Sequence, residues 1–167
     1  EGLTTSKTQF DVVTYTGDGQ STKSIDSLAF QPDFVWLKNR GRSFNHTLFD
    51  SVRGTGAAKT LYSDSNSSEG SNTYGHVSSF DSNGFSVALG SDGNASYTNY
   101  LNDNYVAWCW KAGGTAASNT DGSITSSVSA NAQYGFSVVT YTGTGSAATV
   151  GHGLNGKVPE LIIVKNR

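Results

Sequence analysis

Methionine is absent from this 167-residue chain, leucine is sparse, cysteine occurs once and only 14% of residues are charged. Strong helix formers are therefore scarce. The lone Cys109 excludes an intrachain disulfide. A basic excess is missing too: the formal net charge is −2 and the pI is near 5.8. That removes the electrostatic footprint of a nucleic-acid binder. No apolar run approaches the roughly 20 residues that a membrane-spanning helix needs, so membrane insertion is not expected. What fills the chain instead is Gly, Ser, Thr and Asn, together 75 of the 167 residues. Val, Thr, Tyr, Phe and Trp supply strand-forming residues. The aromatic content, 11%, is too high for a disordered chain. The composition predicts an all-β fold with many turns and long polar loops.

The hexamer VVTYTG occurs at 12–17 and again at 138–143. It belongs to a longer repeat, FDVVTYTGDGQSTKSIDSLAFQPDFVWLKNR at 10–40 and FSVVTYTGTGSAATVGHGLNGKVPELIIVKNR at 136–167. Pro32 matches Pro159, and Lys38-Asn39-Arg40 matches Lys165-Asn166-Arg167. A repeat of this kind is a structural unit. Each copy reads as a strand, a Gly-containing turn, a polar stretch, a proline and a second strand. In the first strand Phe10, Val12 and Thr14 share one face and Val13 and Tyr15 the other. The later second strand, Leu161-Ile162-Ile163-Val164, is apolar on both faces. It predicts a buried central strand, or one awaiting a partner.

Further strands are expected at Thr47–Val52, Val77–Phe80, Phe85–Leu89 and Tyr105–Lys111. Phe80-Asp81-Ser82-Asn83-Gly84-Phe85 reads as a hairpin with Asn-Gly at its turn. The chain then divides into a complete module at 8–112, a Ser/Thr/Gly-rich linker at 113–133, and an incomplete second repeat of two strands at 134–167. Within the linker, Ser123–Val128 has the potential for one short strand.

Five segments carry a family resemblance: AFQPDFVWLKNR (29–40), HTLFDSVRG (46–54), SFDSNGFSVALG (79–90), YVAWCWKAGG (105–114) and SNTDGSITSSVSANAQYGFSVVTYTG (118–143). Together they cover most of the chain. They resemble a repeated domain of tail and tail-fibre-like structural proteins of marine and freshwater bacteriophages, with related copies in environmental bacterial sequences. The resemblance implies an antiparallel β-sandwich of jelly-roll or concanavalin-like type. It also implies a virion-surface or adhesive role.

Candidate sites are few. Trp108 and Trp110 share a face with Val106. A mid-strand tryptophan pair is expected in the sandwich core, with Cys109 and Ala107 on the opposite face. Acidic, Asn-rich loops at Asp64-Ser65-Asn66 with Glu69, at Asp81 with Asn83 and at Asp92 with Asn94 offer oxygen ligands. Turn chemistry explains them equally well, and neither a metal nor a cofactor is expected. Gly54–Thr60 lacks the glycine before Lys59 that a phosphate loop requires. His46, His76 and His152 are scattered, no hydrolase motif occurs, and no enzymatic constellation emerges. Asp50 reads as a structural, hydrogen-bonded carboxylate. Asn45, Asn66 and Asn94 open N-glycosylation patterns that a chain rich in Asn, Ser and Thr also produces by chance.

The expected function is that of a non-enzymatic structural protein, extracellular or on a virion surface, that assembles with copies of itself. Phe136, Val138, Val139, Tyr141, Leu161, Ile162, Ile163 and Val164 are its assembly residues. Left without a covering module they fold back on residues 8–112, belong to a longer array, or add as strands to a neighbour, and the last is the expectation. The alternative is carbohydrate-binding adhesion to surface glycans, through Tyr62, Tyr74, Tyr97 and Tyr100.

Overall fold

The computed structural model describes residues 8–70 and 72–167. These carry β1 (Phe10–Thr16), β2 (Thr22–Ile25), β3 (Phe34–Asn39), β4 (Thr47–Asp50), β5 (Leu61–Tyr62), β6 (His76–Asp81), β7 (Gly84–Ala88), β8 (Asn104–Trp110), β9 (Ala117–Asn119), β10 (Ser126–Asn131) and β11 (Phe136–Tyr141). The fold is all-β, relieved among the described residues only by a 3-10 turn at Ala57–Lys59. Its sheets are ordered β1-β8-β3-β4-β5, β2-β7-β6 and β11-β10-β9, and every strand pair is antiparallel.

The first two sheets form a β-sandwich. Alternation along the strands sends Val13, Val35, Leu37, Phe49, Tyr105, Ala107 and Cys109 from the five-stranded sheet into a common core. Ile25, Val77, Phe85 and Val87 meet them from the three-stranded sheet. Phe49, Phe85 and Leu37 are fully buried, each stabilising the fold by about 1.5–3 kcal/mol. The deeply buried amide of Asn39 is satisfied: Nδ2 donates to Ser96 O and Asp103 Oδ2, both at 2.8 Å, and Oδ1 accepts from Gly41 N at 2.9 Å. The β6–β7 hairpin closes at Asp81↔Gly84, so Ser82 and Asn83 form its turn, one position earlier than Asn-Gly.

Three expectations need correction. Trp108 and Trp110 lie on the outer face of the five-stranded sheet, half-buried, while Tyr105, Ala107 and Cys109 face the core. Alternation defines the two faces of β8, but the second sheet decides which one is covered. The segment 113–133 is not a bare linker: it carries β9 and β10, which pair with each other at Val128↔Ala117. Finally, Leu161–Val164 forms no strand.

The third sheet docks on the outer aromatic face. The Phe136 ring stacks on Trp110 at 5.9 Å and lies 6.1 Å from Phe34. Polar bonds secure the junction. Buried Asp33 accepts from Ala112 N at 2.8 Å, Gly113 N donates to Ser129 Oγ at 3.0 Å, and Asn131 Nδ2 donates to Gln9 Oε1 at 2.8 Å.

Candidate functional site

The repeat places its second copy in two distinct states. β11 runs antiparallel to β10, from Phe136↔Asn131 to Tyr141↔Ser126. Their turn ends at Gly135, whose φ of 76° is the left-handed conformation that glycine adopts without strain. Gly135 N donates to Asn131 O at 2.8 Å. Phe136 is docked, Val138 and Val139 are half-buried, and Tyr141 is 45% exposed. By contrast Leu161, Ile162, Ile163 and Val164 are 78%, 71%, 66% and 71% exposed and make no ladder. The eight expected assembly residues therefore divide into a paired strand and a bare apolar segment.

The end of that segment is tethered. Lys165 Nζ donates to Ser67 O at 2.8 Å and Arg167 Nε to Glu69 Oε2 at 2.6 Å. Glu69 also accepts from Arg53 Nη1 at 3.0 Å. Burial opposes ionisation of Glu69, but Arg167 and Arg53 outweigh it and hold the carboxyl below its usual range. Arg53 in turn donates to Asp50 Oδ2 at 2.5 Å and to Lys59 O at 2.7 Å, inside the sandwich edge. Asp50 is thus a structural carboxylate.

Three of the four tyrosines come together. Tyr97 lies 5.2 Å from Tyr74 and 6.0 Å from Tyr62, ring to ring. Phe44 completes the cluster at 5.5 Å from Tyr97. It stands alone in the polar stretch GRSFNH, which gave no periodic signal for it. Tyr97 is buried, and its hydroxyl pKa is pushed up to about 12 by burial and by Tyr62 and Tyr74. Tyr74, 40% exposed, presents the ring surface to solvent. Beside it, Asp64 accepts from His46 N at 3.2 Å. His46 Nδ1 accepts from Trp36 Nε1 at 2.9 Å, and burial lowers its pKa. Tyr100 stands apart, its ring under the Arg42 guanidinium at 4.3 Å.

The remaining candidates resolve into local structure. Asp92 Oδ1 accepts from Asn94 N, and Asp81 accepts from Ser79 and Ser86 hydroxyls. Among the described residues no three His, Cys, Asp or Glu side chains gather as a metal would require. Asn66 is exposed and Asn45 half-buried, while Asn94 Oδ1 is held by Ser96 N and Oγ. The Gly54–Thr60 loop uses its backbone on Val77 O and its own 3-10 turn. Burial pushes the Cys109 thiol up to about 12, which disfavours the thiolate. His76 is lowered by burial, and its Nδ1 has no hydrogen-bond partner. Among the described residues no helix is long and apolar enough to cross a membrane.

No curated protein and no solved structure matches the chain. Residues 5–167 match the domain of unknown function DUF7483, and the chain belongs to that family.

Proposed function

We propose that this protein is a non-enzymatic structural module of an extracellular filament or virion tail fibre, assembling with copies of itself through β-strand exchange or addition. One observation carries the reading. Residues 161–164 repeat the pattern of β3, a strand buried at the centre of a sheet, yet they stand 66–78% exposed. An apolar run of this kind marks an interaction surface. Backbone ladder bonds offer the means, and a head-to-tail contact propagates into a fibre unless it closes. The nested pairs β1–β8 and β2–β7 support the jelly-roll form of the sandwich. The test is Ile162→Asp with Val164→Asp, followed by size exclusion and electron microscopy. Loss of assembly is expected; unchanged assembly refutes the reading.

Carbohydrate-binding adhesion is the second reading, favoured by the convergence of Tyr62, Tyr74, Tyr97 and Phe44 beside Asp64. Aromatic faces stack on sugar CH groups, and a nearby carboxylate accepts from sugar hydroxyls. A glycan array should show binding that Tyr74→Ala abolishes. A blank array removes this reading.

A further inference from the structure

The two copies of the repeat use opposite edges of the same strand. In the first copy, Gly17 N donates to Asp103 O and Lys111 N donates to Gln9 O, both at 2.8 Å. The odd-numbered residues of β1 thus turn their backbone groups toward β8, because backbone direction alternates along a strand. In the second copy, Gly135 N donates to Asn131 O, so Asn131 turns toward β11. Its register partner is Phe136, which puts the even-numbered residues of β11 toward β10. The opening strands of the two copies are offset by 126 positions, an even number. Hence Ser137, Val139 and Tyr141 point to the free edge of β11, and that is the edge on which β1 holds β8.

The second strand of the copy agrees. In the first copy β3 lies on the far side of β8, with Phe34↔Trp110 and Asn39↔Tyr105. Residues 161–166 correspond to it, Leu161 to Phe34 and Asn166 to Asn39. The end of this segment lies near β11, since Arg167 and Tyr141 line one hollow. A strand placed between the two would need roughly 9–10 Å between its neighbours.

Two further positions are formed for the same kind of neighbour. A Cβ on Gly17 would lie 2.1 Å from Tyr100 O, in the loop that leads into β8; its counterpart Gly143 has nothing within 4 Å. Asp33, 3% exposed, accepts from Ala112 N and Gly114 N just past the end of β8. Its counterpart Glu160 is exposed and makes no hydrogen bond.

We infer that the free edge of β11 is an acceptor slot for one strand of the β8 pattern, small residues alternating with tryptophans, supplied by a further copy of this repeat. The interface is one this chain already builds between β1, β8 and β3. The incoming strand runs antiparallel to β11, with its Trp110 equivalent opposite Phe136 and its Tyr105 equivalent opposite Tyr141. The inference rests on the assembly reading and narrows it.

The test uses the full chain and a synthetic peptide of residues 99–114, with amide hydrogen exchange followed by NMR. Exchange at Ser137, Val139 and Tyr141 should slow by more than about tenfold on peptide addition, because a new ladder protects those amides. Amides of Val138 and Thr140, already turned to β10, should not change. The same peptide carrying Ala107→Pro should have no effect, since proline removes a ladder donor. Absence of protection, or protection on the even residues only, overturns the inference. If the peptide fails while Ile162→Asp with Val164→Asp still abolishes assembly, the assembly reading survives without the slot. If the peptide protects but the chain never assembles, the slot survives and self-assembly fails.

Discussion

Residues 10–40 and 136–167 share a pattern and meet different fates. In the first copy both strands flank β8, and Val13, Val35, Leu37 and Asn39 are buried. In the second, the opening strand pairs with β10 by its other edge and the closing strand pairs with nothing. Leu37 is fully buried and its counterpart Val164 is 71% exposed. Yet 161–164 is the more apolar of the two closing strands. Strand propensity measures how well a side chain fits a pleated, covered surface. A sequence suited to a central strand remains an open segment until that surface exists.

The largest test of this contrast is paired truncation. Leu37→Ala should lower the stability of the sandwich by about 2–5 kcal/mol in chemical denaturation. Val164→Ala should stay within about 0.5 kcal/mol in the isolated chain. A comparable loss at both sites would show that 161–164 packs on this chain after all.

Next is the carboxylate after each proline. Asp33→Ala leaves the Ser51 hydroxyl and the Ala112 and Gly114 amides without their acceptor. It should cost about 2–3 kcal/mol, measured by urea unfolding. Glu160→Ala should be silent in the isolated chain and weaken only the response to the β8 peptide.

Phe136→Ala tests the aromatic docking of the second copy. Loss of its contacts to Trp110 and Phe34 should cost about 1–2 kcal/mol. Hydrogen exchange should locate that loss in β10 and β11, leaving β6 and β7 unaffected.

The smallest effect is electrostatic. Asp18 is held at about 2 by hydrogen bonds from Gln20 N, then from Asn99 and Lys23. Its folded pKa is below the usual carboxylate value. Its contribution is therefore complete above the ordinary pKa near 4 and is lost as pH falls toward 2. Thr144 stands at the equivalent place in the second copy and has no such titration. NMR titration should find the Asp18 midpoint near 2, and Asn99→Ala should raise it.

Much of the sandwich was legible in the residues. Alternation marked β1, β3 and β8, and Asn83-Gly84 marked the β6–β7 hairpin, although its turn lies one position earlier. β10 was legible only in part: the short strand expected at Ser123–Val128 overlaps its start, but SSVSAN looks like linker composition. Its small residues serve close packing: a Cβ on Gly113 would lie 2.3 Å from Ala130 O, and one on Gly153 would lie 2.9 Å from Ala130 Cβ. Larger side chains on β10 would hold those backbones apart. β2 and β5 were hidden for a different reason. Thr22–Ile25 and Leu61–Tyr62 are too short to show a period, and they pair because neighbouring strands present an edge. The tyrosine cluster shows the same limit, since Phe44, Tyr62, Tyr74 and Tyr97 are separated along the chain and no spacing relates them.

The sequence by itself determined the all-β class, the repeat and the two faces of each long strand. These follow from local sterics and a period of two, which every pair of neighbouring residues expresses. The tertiary structure alone decided which face of β8 is core, which edge of β11 is used, and that 161–164 stays open. Each of those depends on a surface contributed from a distant part of the chain. A strand's alternation records that it has two faces and two edges, but only its neighbours determine which of them is covered.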